Sequence, residues 1–241
     1  MILAGGTVAM SAFMTLIGMW VSFRIEKNGL PDAYNAQAVK RRGKKLKARM
    51  PQILINLALV WASTFLGLWT FGHYFPMETP SLWVLLPQVV IVFVADDALF
   101  YWYHRLLHVN TTLYRWIHQR HHEAYAPVPI EYIYVHPLEW MLGMSGFVLG
   151  FAICLGIWGS MSAWTLWIWG GWRTLHELDI HSGMNLLNRI PLFASMQHHD
   201  LHHARPHCGN YASMFPFWDR VYGTEVTEMP RGNRKEPGAA K

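Results

Sequence analysis

Residues 91–108 read IVFVADDALFYWYHRLLH. The stretch opens apolar, carries the adjacent carboxylates Asp96 and Asp97, and closes on His104 and His108, four residues apart. On a helix, positions i and i+4 share a face. Asp97, seven residues before His104, falls on that same face. One helix would therefore carry an apolar run into a pair of imidazoles. An ionisable residue inside such a run is costly and marks function.

Working outward, apolar runs recur. The quoted helix begins at 81–95, and further runs occupy 2–23, 52–72, 138–158 and 160–172, the last one shorter. Most approach the roughly 20 residues that span a bilayer. The expectation is an all-α, multi-span integral membrane protein with about four to five membrane helices. Residues 2–23 read as a retained anchor, because a secretory signal needs a basic residue ahead of its apolar run and here Arg24 and Lys27 follow it. Composition agrees. The 241 residues are 52% hydrophobic and 15% charged, with thirteen Trp and thirteen Met, against about 25% charged in soluble domains.

The net charge of +5 owes much to one cluster, KRRGKKLKAR at 40–49, which has no interleaved aromatics and so excludes a nucleic-acid surface. Cys154 and Cys208 lie far apart and make neither a disulfide framework nor a Cys-x-x-Cys metal site. The chain divides into anchoring helices with the basic loop (1–80), a histidine-bearing region (81–225) and a polar tail (226–241), with Pro191, Pro206, Pro216 and Pro230 marking loops. Seven basic residues fall within 40–49 and none within 73–80. The positive-inside rule then puts 24–51 in the cytoplasm, and counting spans puts 104–136 and the carboxy-terminal region there too. Thirteen of fourteen histidines share that side, His73 being the exception.

Three histidine stretches stand out: HRLLH (His104, His108), HQRHH (His118, His121, His122) and HHDLHH (His199, His202, His203). The last two repeat an i, i+3, i+4 spacing, which would aim each triplet at a common centre. Eight imidazoles exceed the four ligands of a tetrahedral zinc and suit two metals. Imidazole alone does not choose among Zn, Cu, Fe and Ni. A helical zinc hydrolase needs H-E-x-x-H, with the Glu as base. Arg105 and Gln119 occupy that position here, so hydrolysis loses its base.

The order H-x-x-x-H, H-x-x-H-H, H-x-x-H-H on a multi-span chain resembles the fatty acid hydroxylase and sterol desaturase superfamily of membrane diiron oxygenases. The surroundings HHEAYAPVPIEYIYVHPLE, ELDIHSG and HHDLHHARPHCGNYASMFPFWDRVYGTE are most similar to the C-4 methylsterol oxidases, over about residues 92–225. The resemblance implies metal binding by His104, His108, His118, His121, His122, His199, His202 and His203, with His181 of HSG as a ninth ligand. It implies two iron ions, O2 as co-substrate, a sterol or related lipid as substrate, and hydroxylation or desaturation as the reaction. It also implies a b-type cytochrome and a pyridine nucleotide reductase as electron donors and, in a eukaryote, the endoplasmic reticulum.

Asp97, Asp200 and His136 are candidates to hold a ligand's second ring proton. For Asp97 the competing reading is an ion pair with an arginine. His198, adjacent to His199, should face away from it. His176 is either an extra ligand or a neutral substitution, and His207 has no assigned role. Gly209, Asn210 and FWDRVYG read as a structural turn and an amphipathic anchor. The alternative function, from a different class, is a non-catalytic scaffold subunit of a larger membrane complex that keeps the fold.

Overall fold

The computed structural model describes residues 1–30, 35, 37–38, 43–184 and 192–228. Lys40, Arg41, Arg42, Pro191, Pro230 and the tail beyond 228 lie outside the described residues. Among the described residues the chain is helical without a strand; one isolated bridge joins Asn35 and Met184. The helices are α1 (Ile2–Asn28), α2 (Leu46–Phe71), α3 (Leu82–Val109), α4 (Thr111–Leu113), α5 (Gln119–His122), α6 (Pro137–Gly143), α7 (Ser145–Trp158), α8 (Ala163–Ile180), α9 (Met196–Ala204) and α10 (Phe217–Val221). A π-helical turn, Tyr114–His118, separates α4 from α5.

Four segments are long and apolar enough to cross a membrane: α1, α2 with its extension to Tyr74, α3, and α6–α7 together. The expected fifth span, 160–172, does not join them. Its helix, α8, starts at Ala163 and its apolar half ends at Trp172, after which Arg173, Glu177 and Asp179 follow within the same helix. Four candidate spans are therefore present among the described residues. Their outward faces are apolar, with Trp83 90%, Phe13 66% and Leu66 62% exposed.

Close packing relies on small residues. A Cβ on Gly146 of α7 would overlap the backbone of Asp96, and one on Gly150 would come within 2.8 Å of the Val92 Cα. Glycines four apart let two membrane helices approach this closely. Gly18 gives α1 the same intimacy with Leu178 of α8. Burying a polar group in an apolar medium is costly unless it is hydrogen-bonded, and Gln88 of α3 is paired at both its amide oxygen and its nitrogen. Gln88 accepts from Ser162 N at 2.9 Å and Thr165 Oγ1 at 3.0 Å, and donates to Ser160 O at 3.2 Å.

The segment after α5 is seated on α1 and α2 by three such groups. Asn56 Nδ2 donates to the carbonyls of Ile133 and Val135, each at 2.9 Å. Ser22 Oγ accepts the amide of Ile130 at 2.9 Å. Arg49 pairs with the buried Glu131 at 2.5 Å and donates to Glu123 O at 2.6 Å. Arg49 is thus no part of a solvated basic face, although it ends the basic cluster in sequence.

Candidate metal centre

The nine predicted ligands come together as two clusters. His104, His108, His118, His122 and His202 form one, and His121, His181, His199 and His203 form the other. All nine are buried, and within each cluster the donor atoms lie within 4.8 Å of one another. α3 supplies His104 and His108, the π-turn supplies His118, α5 supplies His121 and His122, and α9 supplies the last three. His181 is the C-cap of α8.

In the five-histidine cluster, Nε2 of His104 stands 3.0 Å from that of His118, 3.2 Å from that of His108 and 3.2 Å from that of His202. His122 Nε2 lies 2.9 Å from His118 Nε2 and 3.3 Å from His108 Nε2. In the four-histidine cluster, His181 Nε2 is 3.4 Å from His121 Nε2 and 3.0 Å from His199 Nε2, and His199 is 3.1 Å from His203. Two metal–nitrogen bonds of about 2.1 Å at a right angle place their nitrogens about 3.0 Å apart. The spacing fits imidazoles around a common ion.

Tautomers strengthen that fit. Nδ1 of His104 lies 2.7 Å from Tyr211 O, Nδ1 of His202 lies 2.8 Å from Gly209 O, and Nδ1 of His181 lies 2.8 Å from Glu177 O. A carbonyl only accepts, so each of these Nδ1 atoms carries the proton and each Nε2 presents a lone pair. His118 has Nδ1 2.9 Å from a Glu139 carboxylate oxygen, close but without a hydrogen bond. Lone pairs of His104 and His202 therefore face each other across 3.2 Å, an arrangement that a cation between them relieves. Burial holds His118, His121, His122, His199, His202 and His203 well below the ordinary histidine pKa. They are neutral, as ligation requires.

Neither triplet aims at one centre, contrary to the sequence expectation. Consecutive helical residues diverge by about 100°, so positions i+3 and i+4 splay to opposite sides of i. His118 and His122 go to the first cluster while His121 goes to the second; His199 and His203 go to the second while His202 goes to the first. Box two and box three thus exchange partners.

The expected proton acceptors are corrected. Both oxygens of Asp97 accept backbone amides, Met214 N at 2.7 Å and Phe215 N at 3.1 Å, in place of a histidine ring proton. Asp200 accepts the amide of Ala38, and burial pushes its carboxyl up to about 7. His136 caps α6, accepting Leu138 N at 3.2 Å, and is partly exposed. His176 holds Ser213 O at 2.9 Å, outside both clusters. His198 does face away from His199, toward Asp219 at 3.2 Å. His207 is exposed, with its ring 4.5 Å from Tyr114.

Glu139 and Glu177 were not singled out from the sequence, although Glu177 stands four residues before His181, at helical spacing. Asp219 was missed as well. It accepts the amides of Tyr211 and Ala212, each at 2.9 Å, and so fixes the strip whose carbonyl orients His104. Burial alone would raise its pKa, but contacts from His198, Thr224 and the Ala212 amide hold it below the usual carboxylate range. Asn210, at φ 58°, ties the strip to Val226 O and His198 O, each at 2.8 Å. An apolar cleft of about 650 Å³ runs between α3 and α8, walled by Val90, Phe93, Val94, Trp172, Phe193 and Phe215 among others, with none of the nine histidines in its lining.

The fatty acid hydroxylase family matches residues 89–224, which contain every one of the nine histidines. Methylsterol monooxygenase 1 of Rattus norvegicus is 36% identical over 72% of this chain and 60% of its own length. Methylsterol monooxygenase erg25B of Aspergillus fumigatus is 30% identical over 91% of this chain and 73% of its own. The very-long-chain aldehyde decarbonylase GL1-11 of Oryza sativa subsp. indica is 31% identical over 86% and 76%. The chain thus spans about 60% of the length of the rat protein. No solved structure matches. With paired histidine clusters at the end of a membrane helix and a family match over more than half its length, the chain belongs to the fatty acid hydroxylase family.

Proposed function

We propose that the chain is a membrane-bound, O2-dependent diiron oxygenase that oxidises a methyl group of a sterol or a closely related lipid. The observation that carries this reading is the pair of clusters, five and four buried histidines with their Nε2 atoms about 3 Å apart, on a chain whose α3 both lines an apolar cleft and carries His104 and His108. The nine histidines would hold two irons. Iron with dioxygen supplies the oxidant that an unactivated C–H bond demands and that no side chain provides. The residues of this chain do the rest. Tyr211, Gly209 and Glu177 carbonyls fix ring tautomers, and the Glu139 carboxyl sits 2.9 Å behind the His118 ring. Asp97 and Asp219 hold the strip 211–215 against the centre. The cleft falls within the 300–1,000 Å³ range of small-molecule sites and is lined along α3, a candidate membrane span, by Val89, Val90, Phe93 and Val94. A lipid would enter it from the membrane.

The basic loop supports a cytoplasmic site, where a b-type cytochrome and its pyridine nucleotide reductase would deliver electrons. Retention of nine clustered histidines does not favour a scaffold role. The test is the purified chain in lipid nanodiscs, with iron counted and a 4-methylsterol supplied together with O2 and a reducing system. The expected outcome is about two irons per chain and a hydroxylated sterol. Turnover of a long-chain aldehyde in place of the sterol would move the reading to the chemistry named for the rice relative. A chain that binds zinc and no iron, and oxidises neither, would overturn it.

A further inference from the structure

The two clusters are not equivalent. The first has five imidazoles: Nδ1 of His104 and of His202 is held by a carbonyl, Nδ1 of His118 lies 2.9 Å from Glu139 without a hydrogen bond, and those of His108 and His122 have no hydrogen-bond partner among the described residues. The second has four. A carbonyl holds Nδ1 of His181, whereas those of His199 and His203 have no hydrogen-bond partner among the described residues.

The supporting carboxylates differ too. Glu139 stands 2.9 Å from the His118 ring, its other oxygen has no hydrogen-bond partner, and no lysine or arginine pairs with it among the described residues. Its Oε1 therefore faces the ring without a competing cation among the described residues. Glu177 lies farther from its histidine, at 3.6 Å from His181 Nδ1. It is also held by other groups: the Arg173 guanidinium presses against Oε1, and Ser213 Oγ donates to the same oxygen at 3.0 Å. Arg173 is itself part-buried between Glu177 and Asp96, 3.4 Å from the latter. A carboxylate behind a ligating histidine raises the ring's basicity, and a cation on that carboxylate lessens the effect.

We propose that Glu139 and Glu177 are the positioning carboxylates of the two centres, one each, and that the centres bind metal unequally. The five-histidine centre backed by Glu139 is the tight site. The four-histidine centre, whose carboxylate is shared with Arg173, is the labile one. The inference rests on the metal-binding part of the reading above and on nothing about substrate, so no turnover enters its test.

The full chain in nanodiscs is loaded with Co2+ as probe, and release to a chelator is followed by the cobalt absorption spectrum. Two phases are expected, each near one ion per chain. His181→Ala should remove the fast phase and His118→Ala the slow one. Glu177→Gln keeps the backbone carbonyl that bonds His181 but removes the charge, so it should speed only the fast phase. Glu139→Gln should speed only the slow phase, each by about 10–100-fold. Glu139→Asp and Glu177→Asp, which keep the charge, should recover part of the loss, which a purely structural role would not produce. A single release phase overturns the proposal, as does loss of the slow phase in His181→Ala. Equal acceleration of both phases by either glutamine variant does so as well. If the glutamine variants do not fold, the two histidine variants still assign the phases and decide the order.

Discussion

The outer halves of the spans and the histidine half of the molecule use opposite means to hold a chain together. Along α1 and α2 the sequence turns many large apolar side chains outward, α1 buries small residues such as Ala4, Gly18 and Ser22 while α2 buries Leu and Ile, and the backbone bonds lie within each helix. Such helices form without help from distant residues. Around the clusters, by contrast, short helices and loops are held by side chains reaching far along the chain. Asp97 grips amides 117 and 118 residues away, and Asn56 grips carbonyls 77 and 79 residues away. Stability in one half is local and apolar; in the other it is long-range and polar.

That contrast can be broken experimentally. The largest effect should come from His121→Ala, which removes one of four ligands from the second centre. Turnover should be abolished and metal content should fall, while helical content by circular dichroism stays at the wild-type level. A collapse of helicity would mean that the spans depend on the metal after all.

Asp97→Asn tests the junction between the halves. Asparagine accepts at one oxygen and presents an NH2 to the other amide, leaving a buried N–H unpaired at a cost of about 1–3 kcal/mol. The expected outcome is a melting temperature lower by several degrees, with metal retention reduced far less than by His121→Ala. Iron loss equal to that of the ligand variant, without a stability change, would instead place Asp97 beside a ring proton.

The smallest effect concerns acid. Asp219 has a folded pKa below its unfolded value, so its contribution is complete above about pH 3.9 and fades as the pH falls through the depressed folded value. Between pH 5 and pH 3, Asp219→Asn should therefore show a shallower loss of stability than wild type in the 210–228 segment. Hydrogen exchange there, with the α1 and α2 amides as internal reference, measures it.

Much of this division was legible in the sequence. Uncharged runs announce spans, and repeated histidine spacing announces ligands, because both are local patterns. The shorter run 160–172 lies in α8, where Arg173 and Glu177 follow the Trp-rich start and end its apolar character. Asp97 was recognised as important, but its partners Met214 and Phe215 are ordinary backbone, and no residue type marks an amide as the target. Glu139 went unremarked for a similar reason. Its neighbour in sequence, His136, carries the more conspicuous side chain, yet only folding brings Glu139 against His118.

The exchange of ligands between boxes has a mechanical consequence. Each metal would take ligands from α5 or its preceding turn on one side and from α9 on the other, and the two attachments lie at different azimuths of each helix. One ion alone would act as a pivot. Two, displaced around both helix axes, oppose torque, so neither helix can roll about its own axis without straining a metal bond. Loading the second ion would convert a hinge into a clamp, and the cleft wall at Phe193 and Phe215, which frames α9 on either side in the chain, would be set at the same moment.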